Sequence, residues 1–391
     1  MSAGLPAVAN ALEEARREGV APALSAAIFR RGTAVHASWH GELPAPAPRP
    51  LGRDDLFDLA SLTKVMATAT LAALLVDEGA LDLDAPVAAR LPGFEAGGKA
   101  GVTARHLLAH SSGLPGWRPY FEAAAADPAA GAAFLPPAER PPFAGLRVAF
   151  RRGRELVRAA VLAEPLEAPP GTRAVYSDPG FLALGFLLEE LLGEPLSAAA
   201  ERRVLLPLGL RSTFFLDGLD PERRWRRAEV RTFVPTEACQ HRHEVNQGAV
   251  NDDNAWAMGG AAGHAGLFSN ALEVAAFGHA WLQALRGRPS LVPARAAAEF
   301  ARRDPTPGST RALGWDTPSA EASSFGTRLG RGKRGAIGHL GFTGTSLWID
   351  LDAELVVALL TNRIHPSRDS EKIRAFRPHF HDVVAEALGI G

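Results

Sequence analysis

The chain has 391 residues, 47% of them apolar and 22% charged, which is ample for a buried core and unlike a disordered chain. Lysine and arginine total 42 against 43 aspartates and glutamates, a net charge of −1, and that balance excludes a surface built to coat nucleic acid or an anionic membrane. A lone cysteine, Cys239, excludes an internal disulfide. Glu13, Glu14, Arg16 and Arg17 stand where a secretory signal would be apolar, and the aliphatic run over 65–76 falls short of the ~20 residues that span a bilayer. These features predict a cytoplasmic protein with neither a nucleic-acid nor a membrane partner.

In chain order, Val8, Leu12 and Val20 mark a first helix, and residues 24–29 and 33–39, parted by Arg31-Gly32, read as a hairpin. A proline-rich connector over 44–50 precedes Phe57-Asp58-Leu59-Ala60, which leads into a long helix over 61–77 closed by Gly79. Thr103 caps a short helix to His110, and Ser111-Ser112-Gly113-Leu114-Pro115 breaks it. The Ala/Pro-rich stretch 123–142, within an insertion over 118–150, is expected at the surface. A helix over 152–163 leads to the turn Pro169-Pro170-Gly171, and Tyr176-Ser177-Asp178-Pro179 opens another that ends before Gly193. Residues 217–268 read as loops. Helices over 271–285 and 294–302 come next, then β runs over 336–349 and 355–361, and a terminal helix over 370–388 interrupted at Pro378. Strands at both ends with helices between suggest one mixed sheet closed by the termini, with a helical lobe inserted.

Only four lysines and two tyrosines occur, so their presence in a motif carries weight. Ser61-Leu62-Thr63-Lys64 sets a hydroxyl and an ammonium three residues apart, on one face of a helix. A serine is a weak nucleophile until a neighbour takes its proton, and a lysine does so only when its surroundings favour the neutral amine. The backbone N–H groups of a helix start also suit a developing oxyanion. A capping serine with a solvated lysine gives the same four letters. Tyr176 is a candidate proton shuttle, and Asp178, directly before Pro179, is either an N-cap, a site residue or both. His339, in Gly338-His339-Leu340-Gly341-Phe342-Thr343-Gly344, is either structural or a donor beside the reacting group.

Taken together, Ser61-Leu62-Thr63-Lys64, Tyr176-Ser177-Asp178 and His339-Leu340-Gly341 resemble the SxxK, YxN and KTG/HxG signatures of the serine β-lactamase and penicillin-binding protein superfamily, in its class C and esterase branch. Leu107–Leu114 and Gly259–Phe268 are similar to stretches of that branch, and the likeness covers about residues 5–390. It implies an α/β (α+β) fold: an antiparallel sheet flanked by terminal helices with an inserted all-helical lobe. One catalytic domain over 1–391 is implied, with a sheet lobe (1–60 and 265–391) and a mainly helical lobe (61–264). It further implies Ser61 as the acylated nucleophile, Lys64 and Tyr176 as the base and acid pair, the N–H groups of Ser61 and Phe342 as the oxyanion hole, and Asp178, His339 and Gly341 in the pocket. Aspartate replaces the usual asparagine, and histidine replaces the lysine that holds a β-lactam carboxylate, which disfavours penicillin hydrolysis.

Other signals are weaker. Gly330-Arg331-Gly332-Lys333-Arg334-Gly335 spells GxGxxG but precedes a strand, so it reads as a basic turn. Cys239, His241, His243, Asp252, Asp253 and His264 match no defensible metal spacing. Arg223-Arg224-Trp225-Arg226-Arg227 reads as a solvated face, and the absence of GxSxG argues against an α/β-hydrolase. The leading expectation is a cofactor-free and metal-free serine hydrolase acting on small-molecule esters or amides. The alternatives are a β-lactamase or D-Ala-D-Ala carboxypeptidase, a non-catalytic binder or sensor, and a metal-dependent hydrolase. The sequence does not reveal oligomeric state.

Overall fold

The computed structural model describes residues 4–44, 48–220, 231–321 and 323–391. Helix α1 (Pro6–Arg17) begins on a proline, whose fixed φ suits a first turn, and buries Val8, Ala11, Leu12 and Ala15. Strands β1 (Leu24–Arg30) and β2 (Thr33–His40) form a hairpin whose turn residues Arg31 and Gly32 both adopt positive φ, +49° and +82°, matching the strand twist.

The chain then leaves the sheet. A π-helical segment over Lys64–Ala69 runs into α2 (Thr70–Asp77), and its Thr70 hydroxyl donates to the Val65 carbonyl at 2.7 Å. Helix α3 (Asp178–Leu192) ends at Gly193 in the left-handed conformation (φ +67°) that this turn requires. After α4 (Ala271–Leu285), strands β3 (Ala336–Leu340), β4 (Ser346–Asp350) and β5 (Leu355–Thr361) complete a five-stranded sheet in the order β3-β4-β5-β1-β2. Helix α5 (Ile373–Ala387) ends the fold.

Every neighbouring pair in this sheet is antiparallel, so it is not mixed. Leu24 to Arg30 of β1 pair with Thr361 to Leu355 of β5, which joins the two ends of the chain. Apolar residues occupy both faces of β5 because helices cover both. Leu355, Val357 and Leu359 pack with Val8 and Leu12 of α1 and with Phe380 and Val384 of α5. Val356, Ala358 and Leu360 pack with Phe277 and Trp281 of α4.

Several local expectations are corrected. The β run over 336–349 is two strands, because Gly341 and Gly344 (φ +99°) turn the chain between β3 and β4. The helix expected over 152–163 spans Phe143–Ala163. Stretch 123–142 is not merely surface: Ala130, Ala133 and Phe134 are buried, and the Ala133 carbonyl accepts from Trp256 Nε1 at 3.1 Å. The loop region holds a short helix, Asp253–Ala257, and short strands. Helix α5 runs unbroken through Pro378, because the carbonyl that the ring crowds belongs to the exposed Arg374 in the first turn. Residues 330–335 turn into β3. The Arg223–Arg227 run lies outside the described residues. Among the described residues no helix is long and apolar enough to cross a membrane.

Candidate active site

Ser61 follows Ala60, whose φ of +47° is a strained conformation for alanine and turns the chain sharply into the helix. The turn is held from both sides: Asp58 Oδ1 accepts from the Ala60 N–H at 2.8 Å, and Thr63 Oγ1 accepts from the Leu267 N–H at 3.1 Å. One helical turn on, Lys64 is fully buried, and its Nζ donates to Ser61 Oγ at 2.9 Å, to Asp178 Oδ1 at 2.7 Å and to the His264 carbonyl at 3.2 Å. Burial alone would push the ammonium down. The Asp178 carboxylate and the Tyr176 hydroxyl outweigh it and hold Lys64 above its ordinary value.

Asp178 was an N-cap candidate, but Ser177 takes that place: its hydroxyl accepts from the Gly180 N–H at 3.1 Å. Asp178 becomes the first helical residue, and its carboxylate is free to pair with Lys64. Lys64 Nζ also lies 4.8 Å from the Tyr176 ring centroid, and Arg311 covers that ring at 5.0 Å. Burial raises the Tyr176 hydroxyl above its ordinary value, against the pull of Lys64.

His339, on β3, is buried 5.9 Å from the Tyr176 ring, and its Nδ1 lies 2.8 Å from the Leu340 carbonyl. A carbonyl only accepts, so Nδ1 carries the hydrogen and Nε2 is left as an acceptor without a partner among the described residues. Burial, with Lys64 and Arg311 nearby, pushes His339 well below its ordinary value. At the turn after β3 the Gly341 carbonyl accepts from the buried Arg377 at 2.9 Å, while the exposed Phe342 ring stacks under Arg363 at 4.7 Å.

These parts meet at a cavity of about 720 Å³. Ser61, Tyr176, Asp178, His339, Gly341 and Phe342 all line it, and Lys64 lies just behind Ser61. Six of the seven residues singled out from the sequence therefore face one space. The wall also contains Trp117, Asp252, His264, Arg311, Arg363 and Arg377. No local pattern marks Trp117, Arg311 or Arg377, whereas Asp252 and His264 belonged to the suspected metal cluster. That cluster disperses: Cys239 Sγ approaches Asp253 Oδ1 at 3.6 Å, and His241 packs edge-on against Phe121. Asp252 instead pairs with His264 Nε2 at 2.8 Å, and that contact holds its carboxyl at about 2 although burial would raise it. Asp178, Asp252 and His264 offer ligand atoms within 4.8 Å of one another, but the Lys64 ammonium already donates to Asp178 and to the His264 backbone.

The antiparallel sheet, its terminal helices and a buried Lys64 in contact with the cavity-lining Ser61 match the serine β-lactamase and penicillin-binding protein fold. The family model described as Beta-lactamase matches residues 8–378, and the chain belongs to that family. An N-acetylmuramyl-L-alanine amidase of Bacillus subtilis (strain 168) is 33% identical over 334 residues, covering 81% of this chain and 70% of the relative. Among solved structures, EstCE1, described as a hydrolase with promiscuous acyltransferase activity, superposes with a TM-score of 0.68 at 21% identity, covering 97% of both chains. A class C β-lactamase does so with a TM-score of 0.68 at 16% identity, covering 97% of this chain and 95% of its own.

Proposed function

We propose that Ser61 is the nucleophile of an acyl-enzyme mechanism acting on carboxylic esters or small amides. The observation that carries the reading is the 2.9 Å contact between Lys64 Nζ and Ser61 Oγ at a cavity large enough for a small-molecule substrate. Ser61 Oγ attacks the carbonyl carbon; Lys64 and Tyr176 move its proton towards the leaving group; the N–H groups of Ser61 and Phe342 receive the oxyanion. Asp178, His339 and Gly341 shape the pocket. The name of the 33% identical relative keeps amides in the substrate set. Neutral His339, standing where the family's lysine would meet a β-lactam carboxylate, places β-lactams and D-Ala-D-Ala peptides second.

The test is hydrolysis of a short-chain p-nitrophenyl ester by the protein and by Ser61→Ala. Turnover should fall by at least about 10³-fold in the variant. Faster cleavage of a chromogenic cephalosporin than of the ester would reverse the substrate ranking, and equal ester turnover in the two proteins would remove Ser61 from the mechanism.

A further inference from the structure

We propose that Asp178 is the final acceptor of the Ser61 proton and that Lys64 works as a charged relay between them, an inference that rests on Ser61 being the nucleophile. An ammonium has three hydrogens and no lone pair. Lys64 Nζ donates to three oxygens, Asp178 Oδ1 at 2.7 Å, Ser61 Oγ at 2.9 Å and the His264 carbonyl at 3.2 Å, and the Tyr176 hydroxyl stands beside both Lys64 and Ser61. The carboxylate and the carbonyl only accept, so each takes one hydrogen. The third direction points at the Ser61 hydroxyl, which either accepts from an ammonium or donates to an amine. One proton shifted from Nζ to Asp178 Oδ1 leaves the amine lone pair facing Asp178, and a rotation of about 120° around the Cε–Nζ bond, which moves no heavy atom, turns that lone pair to the Ser61 hydroxyl and gives the second arrangement.

Burial makes this route preferable to losing the lysine proton to water. Lys64 has no exposed surface, and an unpaired charge at such a site costs several kcal/mol, as does the lone carboxylate left behind. Transfer within the pair leaves no net charge before or after. Asp252 is the other carboxylate near the ammonium, but its Oδ1 is bonded to His264 Nε2 at 2.8 Å, which leaves Asp178 as the acceptor in contact. The remaining groups facing the pair are Tyr176 ahead of α3, His110, and His339 and Arg311 across the cavity, both histidines held neutral by burial.

The step balances. The Ser61 Oγ–carbon bond forms as the carbonyl π pair moves to oxygen; the Oγ–H proton passes to Nζ, and one Nζ–H proton passes to Asp178 Oδ1. On collapse the bond to the leaving oxygen or nitrogen breaks and the proton returns through Nζ and the Tyr176 hydroxyl to that atom. Asparagine, usual at this position in the family signature, keeps an acceptor oxygen but cannot take a proton.

The experiment is the rate of Ser61 labelling by an alkyl fluorophosphonate from pH 6.5 to 9, in the protein and in Asp178→Asn, with Ser61→Ala as blank. The phosphorus–oxygen bond forms as fluoride leaves, so the profile reports activation of Ser61 alone. The relay predicts that the native rate changes by less than about twofold across the range. In Asp178→Asn a neutral lysine must arise by losing a proton to solvent, so a limb rising by about tenfold per pH unit appears, with labelling at pH 6.5 about 10²-fold slower. A native rate that itself rises tenfold per pH unit overturns the relay, as does an Asp178→Asn protein with native rate and profile. Absence of Ser61 labelling in the native protein at every pH would instead remove the nucleophile itself.

Discussion

His110 accepts the Ser177 backbone N–H through Nδ1 at 3.0 Å and sets its ring 4.5 Å from that of Tyr176. The amide can only donate, so Nδ1 is the bare nitrogen and the hydrogen sits on Nε2, which has no partner among the described residues. His110 also has a φ of +57° at the end of its short helix, a conformation unusual for a side chain of this size. It thus ties the loop after that helix to the start of α3 and packs against the ring of Tyr176. We assign it as a positioning residue.

Replacing it tests that role. His110→Ala strips a buried N–H of its acceptor and should cost about 1–3 kcal/mol of stability by urea denaturation. With the Tyr176 ring unsupported, ester kcat should fall about tenfold with KM little changed. A stability loss with native kcat would mean that His110 serves the fold alone.

Whether each part of this site was legible depended on how local its cause is. Ser61 and Lys64 stand one helical turn apart, so their proximity follows from helix geometry alone. Tyr176 and His339 reach the same cavity from separate elements, and only the resemblance joined them in advance. Both Ser177 and Asp178 satisfy the capping preference; the distant ammonium of Lys64 decides between them by taking the carboxylate. The break between β3 and β4 was hidden because Leu340-Gly341-Phe342-Thr343 alternates like a strand, while the turn is made by tertiary anchors, including the Thr343 hydroxyl donating to the Asp58 carbonyl at 2.8 Å. Arg311 and Arg377 join the wall through chain crossings that no window of sequence records.

The buried histidines set the acid response. Burial holds His110 and His339 well below 6.5 and His381 at about 4, so below pH 6.5 the unfolded chain binds protons that the native state refuses. Stability therefore falls as pH falls, by about 1.4 kcal/mol per pH unit for each such histidine. Asp58 acts in the opposite sense: burial lifts its carboxyl to about 6, so between about 6 and 4 the native state binds a proton that the unfolded chain does not. His339→Gln should lower the slope of unfolding free energy between pH 6 and 5 by about 1.4 kcal/mol per unit. Urea midpoints at pH 5, 6 and 7 measure it, and an unchanged slope would show that His339 is protonated in the native state.

A chelator separates the serine mechanism from a metal-dependent one. Asp178, Asp252 and His264 are the group of candidate ligands found among the described residues, and the Lys64 ammonium supplies the positive charge at Asp178. Ester turnover should be unchanged after dialysis against EDTA and on adding zinc at low micromolar concentration. Loss on chelation with recovery on zinc, together with activity in Ser61→Ala, would establish the metal reading.

Gly341 ties the site to the fold most tightly. A Cβ there would lie 1.9 Å from Thr345 Oγ1 and 2.7 Å from the Leu59 carbonyl, the backbone just ahead of Ser61. Thr345 Oγ1 donates to the Leu59 carbonyl at 3.0 Å and Arg377 donates to the carbonyls of both Gly341 and Thr345, so the turn cannot swing away from Leu59 without breaking three hydrogen bonds. Relief must come from separating the turn that carries Phe342 from the 59–61 segment that carries Ser61 into the helix, which widens the proposed oxyanion hole. Gly341→Ala should therefore cost about 1–3 kcal/mol in stability and lower ester kcat by 10²-fold or more, since displacing one oxyanion donor costs about that much. Gly101→Ala is the control: its Cβ meets nothing within 4 Å, and both stability and turnover should stay native. Native kcat in Gly341→Ala would show that the Phe342 N–H does not serve the oxyanion.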